Sequence, residues 1–103
     1  VQAAGVRYAA RSAGAEPLEV RVGGRRRSLA VPRVRVLDTL GAGDVLHGAA
    51  AHACARLGLT DATAPAVLRY AVRVASASCR FAGPLGWSAD RPTWERVSPL
   101  PAV

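Results

Sequence analysis

Three features of the sequence predict an α/β fold. Apolar residues alternate up to residue 37, they recur at helical spacing from residue 44 onward, and a glycine turn joins the two regimes. In the first part, Leu18, Val20 and Val22 alternate with Glu19 and Arg21. Gly23-Gly24 then supplies a turn, and Leu29 and Val31 alternate with Ser28 and Ala30, which predicts a hairpin. Val6 to Ala10 is a weaker strand candidate, closed by a loop over Arg11 to Pro17, and Val34 to Leu37 is a further short strand after Pro32.

Beyond Leu37 the period changes. Val45, Leu46, Ala49, Ala50, Ala53, Cys54 and Leu57 fall on one helical stripe, so a first helix is predicted over about 43–57, stopped by Gly58. Thr60, Asp61 and Pro65 carry the capping and first-turn signals of a second helix. It is expected to continue through Val67, Leu68, Ala71, Val74, Ala75 and Ser78 to Phe81, with Gly83-Pro84 as the stop. Ala71, Ala75, Ser78 and Ala82 are small, which suits close helix packing. The segment 84–103, with four prolines and two tryptophans, reads as an irregular tail with one short helix near Thr93 to Val97; Trp87 and Trp94 are expected to cover the core beneath it. The expected organisation is one partial domain over 1–103: strands over 1–37, a turn over 38–44, two helices over 43–83, then the tail.

Composition narrows the function classes. The chain has 103 residues, and 14 basic against 7 acidic residues leave a formal charge of +7. Half the residues are hydrophobic, which is too apolar for a disordered tail, but the apolar share is mostly alanine and valine, so the core is thin. Methionine is absent, which suggests a fragment or a trimmed product, and every basic residue is arginine. No apolar stretch reaches the roughly 18 residues of a membrane span, and no signal peptide is evident, so the expectation is a soluble, cytoplasmic protein without a membrane partner. Cys54 and Cys79 lack the short spacing of a redox or zinc motif and read as free thiols. His47 and His52 do not share a helical face, so they do not suggest a metal site. Eight arginines lie in the first 37 residues; Arg25-Arg26-Arg27 reads as a solvated hairpin tip without interleaved aromatic residues, and nucleic acid is not the expected partner.

The stretch that carries chemistry is Val36-Leu37-Asp38-Thr39-Leu40-Gly41-Ala42-Gly43-Asp44, a strand running through a glycine turn into a helix. The first amides of a helix have no intrahelical partner, and the aligned peptide dipoles favour an anion there. Gly41 and Gly43 permit positive φ and let an anion approach the backbone closely. Asp44 falls in the first turn as a carboxylate suited to holding or removing a hydroxyl proton. The familiar alternatives fail: a P-loop needs lysine, and a dinucleotide fingerprint needs glycine where Leu46 stands. Read without further context, Asp44 is equally a helix-stabilising first-turn carboxylate, and Asp38 a residue bonding its own turn.

Asp-Thr-x-Gly-Ala-Gly-Asp entering a helix of small residues resembles the C-terminal signature of the ribokinase-like, or PfkB, carbohydrate kinases. The strand before it, Gly48-Ala49 after it and the alanine-rich helix from Leu68 to Cys79 also resemble that family; the Asp38-Thr39-Leu40 version with Ser78-Cys79 is similar to ketohexokinase-like and other bacterial sugar kinases. The resemblance covers about residues 17 to 95. It implies the C-terminal part of a ribokinase-like, Rossmann-like three-layer fold and an ATP-dependent transfer of the γ-phosphate to a sugar hydroxyl. In that scheme Asp44 is the base, while Gly41, Ala42 and Gly43 form the anion hole. Thr39 stands beside the nucleotide phosphates, and Val72 and Ser76 face the adenine. Asp38 and Leu40, with Ser78 and Gly83, match a monovalent-cation position. The implied cofactors are ATP, Mg²⁺ and K⁺, the partners are a sugar and ATP, and the full-length enzyme is expected as a homodimer.

The sequence departs from the pattern at Leu46, where phenylalanine is usual, and at Val72, where a polar residue is common. The substrate-binding half, the lid and the Mg²⁺-linked acidic motif precede the matching part in the family. The isolated chain is therefore expected to lack sugar kinase turnover. The second function class is a catalytically inactive remnant or small basic binding protein.

Overall fold

The computed structural model describes residues 5–14, 16–83 and 86–101. Three strands, β1 (Tyr8–Ala13), β2 (Glu16–Val22) and β3 (Arg25–Leu29), form an antiparallel sheet in the order β1-β2-β3. They are followed by the helices α1 (Ala42–Leu57), α2 (Ala64–Ser78) and α3 (Arg91–Val97), with a short 3-10 helix, Gly86–Ala89, before the last. Together they make a small α/β fold.

The β2–β3 hairpin turns on Gly23 and Gly24 at φ of 56° and 89°. Positive φ at both central positions is what a two-residue hairpin loop matching the strand twist requires. The turn sets the register: Leu18 faces Leu29, Val20 faces Arg27 and Val22 faces Arg25. Leu18, Val20, Val22 and Leu29 are all buried. Arg25–Arg27 is thus part of β3 and not a hairpin tip, and the strand ends at Leu29, before Val31. Charged side chains are tolerated there because β3 lies at the sheet edge, where long stems cover apolar surface and the heads reach water.

β1 also departs from expectation. It runs on to Ala13, where a loop was expected, because Arg11 lies opposite Glu19 and the two side chains pair at 3.4 Å. A register shift between Arg11 and Ala13 absorbs the remaining irregularity. Val34 to Leu37, in contrast, forms no strand among the described residues, where no neighbouring strand offers it a ladder. Its end is held by the Leu37 and Asp38 amides, which donate to the Cys79 carbonyl at 2.7 and 3.1 Å.

α2 is the organising helix. One face packs on α1 through Val67, Tyr70, Ala71, Val74 and Ala77 against Ala49 and Ala53, with Val97 of α3 completing the cluster. Ala53 and Ala71 are both fully buried, so the backbones of α1 and α2 approach closely. Ala64 and Val72 instead join the cluster formed by Leu18, Val20, Val22 and Leu29 of the sheet. Leu46 packs against both clusters. α2 ends at Ser78, short of Phe81, because the amides of Cys79, Arg80 and Phe81 turn to carbonyls three residues back, which tightens the chain out of the α-helix. Ala82 accordingly lies outside the helix and is exposed.

The connections are pinned by polar contacts. Before α2, the Thr60 amide donates to Thr63 Oγ1 at 2.8 Å, and Thr63 Oγ1 donates to the Gly58 carbonyl at 2.7 Å. Arg7 donates from Nε and Nη2 to the Asp61 carboxylate, and Tyr8 donates its hydroxyl to the same group, tying the start of the sheet to the α1–α2 loop. Asp90 caps α3 by accepting from the Thr93 amide and hydroxyl. Trp87 packs against the α1–α2 cluster, but Trp94 is 48% exposed and covers less of the core than expected. Cys54 and Cys79 are free thiols.

Candidate functional site

The turn from Asp38 into α1 is built from both sides. Asp38 Oδ1 accepts from the Leu40 amide at 2.9 Å, which folds 38–40 into a local turn of the kind short carboxylates favour. Asp38 Oδ2 accepts from the Gly83 amide, also at 2.9 Å, so the same side chain fastens the loop beyond α2. These two bonds, with that from Gly83 the stronger influence, hold the Asp38 carboxyl below its ordinary value.

Gly41 precedes the first residue of α1 at φ 77°, the left-handed conformation that a residue with a Cβ avoids. The Ala42 amide returns to the Thr39 carbonyl at 3.1 Å and the Val45 amide to Gly41 at 2.9 Å. Among the described residues no carbonyl accepts from the Gly43 and Asp44 amides, the pattern that leaves a helix start open to an anion. Gly43 itself is helical and does not use positive φ. Its value is room: a Cβ built there meets nothing within 4 Å. The side chain of Asp44 is exposed and forms no ion pair among the described residues. The corner is therefore neither plugged nor neutralised by the protein.

A cleft of about 610 Å³ opens beside this corner. Thr39, Ala42 and Gly43 line it from the turn and α1, and Val72, Ala75, Ser76 and Cys79 line it from α2. The lining is completed by Ser12, Gly14 and Leu18 of the first two strands and their turn, and by Val31, Pro32, Arg33, Val34 and Val36 of the connector. Five of the sequence-predicted ligand-binding residues, Thr39, Ala42, Gly43, Val72 and Ser76, thus share one cleft. Gly41 shapes its rim without lining it. The apolar share of the wall, with Leu18, Val31, Val34, Leu46 and Val72, suits a flat ring, and the helix start suits an anionic group.

The residues matched to a cation position, Asp38, the Leu40 carbonyl, Ser78 and Gly83, come together only in part. Asp38, Leu40 and Gly83 meet, but Leu40 and Gly83 present amides to the carboxylate. Ser78 is buried and donates its hydroxyl to the Ala75 carbonyl at 2.6 Å, within its own helix. In this geometry the set is a tie between two loops. Among the described residues no group of three His, Cys, Asp or Glu side chains converges to hold a metal ion, and no helix is long and apolar enough to cross a membrane. The contributions of Cys79 and the 31–36 connector to the cleft lay outside the sequence reading, because they depend on how the hairpin folds over α2; Ala75 belongs to the small-residue face that the sequence does show.

No family model and no curated protein matches this chain. Solved structures do. A protein assigned as ribokinase II from E. coli, in its apo form, matches with a TM-score of 0.70 and 22% identity over 92% of this chain and 30% of its own. The aminoimidazole riboside kinase of Salmonella enterica, complexed with aminoimidazole riboside and an ATP analogue, matches with a TM-score of 0.66 and 24% identity, covering 82% of this chain and 29% of the kinase. An E. coli ribokinase II structure with ATP and Mg²⁺ gives 0.68 and 22%, over 88% and 30% of the two chains. The chain spans about 30% of the length of these structures. At this level of identity the likeness establishes the fold: the described residues adopt part of a ribokinase-like fold.

Proposed function

We propose that this chain is the nucleotide-phosphate-binding and proton-accepting portion of an ATP-dependent sugar kinase. The observation that carries the reading is the cleft beside the open start of α1, which Thr39, Ala42, Gly43, Val72 and Ser76 line together; the exposed Asp44 carboxylate follows Gly43 in the chain and stands outside that lining. Phosphoryl transfer asks a protein mainly for positioning and charge stabilisation, and both are available here.

In the proposed reaction the sugar hydroxyl oxygen attacks the γ-phosphorus of ATP as the bond to the bridging oxygen of ADP breaks. Asp44 takes the hydroxyl proton. The amides around Gly41, Ala42 and Gly43 stabilise the charge on the travelling phosphoryl group, Thr39 stands beside the phosphates, and Val72 and Ser76 flank the adenine. Mg²⁺ enters with the nucleotide, screening its phosphates. By resemblance, K⁺ would be held at Asp38 and the Leu40 carbonyl, with Ser78 and Gly83 beside them, and it is assigned no step. Sugar recognition is assigned to parts of the kinase fold beyond this chain. That the ribokinase-fold neighbours include proteins solved with ATP and Mg²⁺, or with an ATP analogue, supports the reading by analogy.

The test is calorimetric titration of the full chain with Mg²⁺–ATP, repeated on Gly43→Val. A side chain at Gly43 meets only open space, so the fold tolerates it while phosphate approach is blocked. Binding to the parent chain that disappears in the variant supports the proposal. Absent binding to the parent, or unchanged binding to the variant, overturns it and favours the inactive remnant.

A further inference from the structure

Arg33 is the one charged residue on the wall of the cleft. It follows Pro32 in the connector between β3 and the Asp38 turn and lines the same cleft as Gly43 and Ser76. It is exposed, and among the described residues it takes part in no ion pair. No carboxylate lines the cleft to neutralise it, and the rest of the wall is apolar or carries small hydroxyl and thiol groups. None of the other seven arginines up to residue 37 lines the cleft: Arg7 is held by Asp61, Arg11 pairs with Glu19, Arg21 lies in β2, Arg25 to Arg27 are set along β3, and Arg35, in the same connector, is outside the lining.

An unneutralised guanidinium and an open helix start that line one cleft select the same kind of ligand. Both favour an anion, and a guanidinium forms charge-assisted, often paired, hydrogen bonds to phosphate oxygens. The helix start is fixed by backbone geometry, whereas the arginine side chain is long enough to adjust to a phosphate chain extending across the cleft. We propose that Arg33 is a phosphate-binding residue: it closes the cleft from the hairpin side by gripping the polyphosphate of a bound nucleoside triphosphate. This deepens the nucleotide reading above and rests on it.

The two are separated by titrating the full chain, Arg33→Gln and Arg33→Lys with Mg²⁺–ATP and with adenosine, each at low and high salt, alongside Gly43→Val. Arg33 is exposed, so the variants are expected to fold as the parent does, with circular dichroism as the check. If the proposal holds, Arg33→Gln weakens ATP binding by roughly tenfold to a hundredfold, the range for a hydrogen bond to a charged group. It also lowers the salt dependence, leaves adenosine binding unchanged, and Arg33→Lys recovers part of the loss. Equal weakening of ATP and adenosine overturns the charge-specific role. Unchanged ATP binding in Arg33→Gln, with loss in Gly43→Val, overturns the role of Arg33 and leaves the nucleotide reading standing. No ATP binding to the parent chain overturns both.

Discussion

The Asp38 carboxylate and the Gly83 amide, 45 residues apart in sequence, meet at 2.9 Å. Through this bond the turn that leads into α1 is fastened to the loop that leaves α2, and the second carboxylate oxygen holds the Leu40 amide. Asparagine has one acceptor oxygen, and its amide nitrogen would face a backbone donor. Asp38→Asn should therefore weaken both bonds, speed hydrogen exchange at the Gly83 and Leu40 amides and lower the melting temperature. Since Thr39 and Gly41 lie within the same turn, Mg²⁺–ATP binding should weaken too. Unchanged exchange at Gly83 would show that the bond holds nothing in place.

Gly41 and Gly43 are two residues apart and should respond oppositely to alanine. Gly41 holds φ at 77°, and a Cβ there costs about 1–2 kcal/mol. For a domain of this size, 1 kcal/mol lowers the melting temperature by roughly 4–8 °C. Gly43 is helical with open space around a built Cβ, so Gly43→Ala should be neutral or gain up to about 1 kcal/mol of helix propensity. Thermal melts of the two variants check the contrast. Destabilisation of both to the same extent would contradict the backbone geometry.

Acid should weaken the fold through a small set of carboxylates. Asp61 is held below the ordinary value of 3.8, chiefly by its hydrogen bond from Arg7 and next by that from Tyr8. Asp38 is lowered by the Gly83 and Leu40 amides, and Asp90 by the Thr93 hydroxyl and amide. Each is protonated first in the unfolded chain as the pH drops. Their contribution is therefore complete above the ordinary carboxylate range and is lost as the pH falls through the lowered folded values. Urea melts from pH 6 down to about 2 should show stability falling at the acid end. Asp61→Asn should flatten that decline while lowering stability at neutral pH. An acid decline as steep in this variant as in the parent would remove Asp61 from the set.

What was legible in the sequence was local. The alternation from Leu18 to Val22, the Gly23-Gly24 turn and the helical stripe from Val45 to Leu57 each specify their own geometry. So does the Asp38–Asp44 stretch, in which turn, left-handed glycine and first-turn carboxylate are contiguous. The rest depends on partners far along the chain. Arg11 to Ala13 extend β1 only because β2 offers a register, with Glu19 opposite Arg11. Arg25 to Arg27 lack any apolar alternation and become a strand because the turn places them beside Val20 to Val22. Val34 to Leu37 has strand-like alternation but no ladder partner among the described residues. In the site, Val72 and Ser76 came from resemblance alone, and Cys79 and Arg33 entered only when the hairpin and α2 came to line one cleft.

On the proposed function, Asp44 is the residue at which binding and chemistry can be tested apart. It sits in the first turn of α1, exposed and outside any described ion pair, so its removal disturbs no packing. A proton acceptor of this kind typically contributes about 10² to 10⁴ in rate. Asn at this position keeps the size of the side chain and an acceptor oxygen but cannot take up the sugar proton at neutral pH. With the remainder of the ribokinase-like fold supplied in the same polypeptide, Asp44→Asn should lower kcat by that factor, measured as sugar-dependent ADP release. KM for ATP should stay close to the parent value, because the amides of the helix start are unchanged. A raised KM for ATP with kcat preserved would place Asp44 among the nucleotide contacts and remove it as the base. A parallel loss of melting temperature would instead mark it as a helix-stabilising carboxylate, the structural role its position also permits.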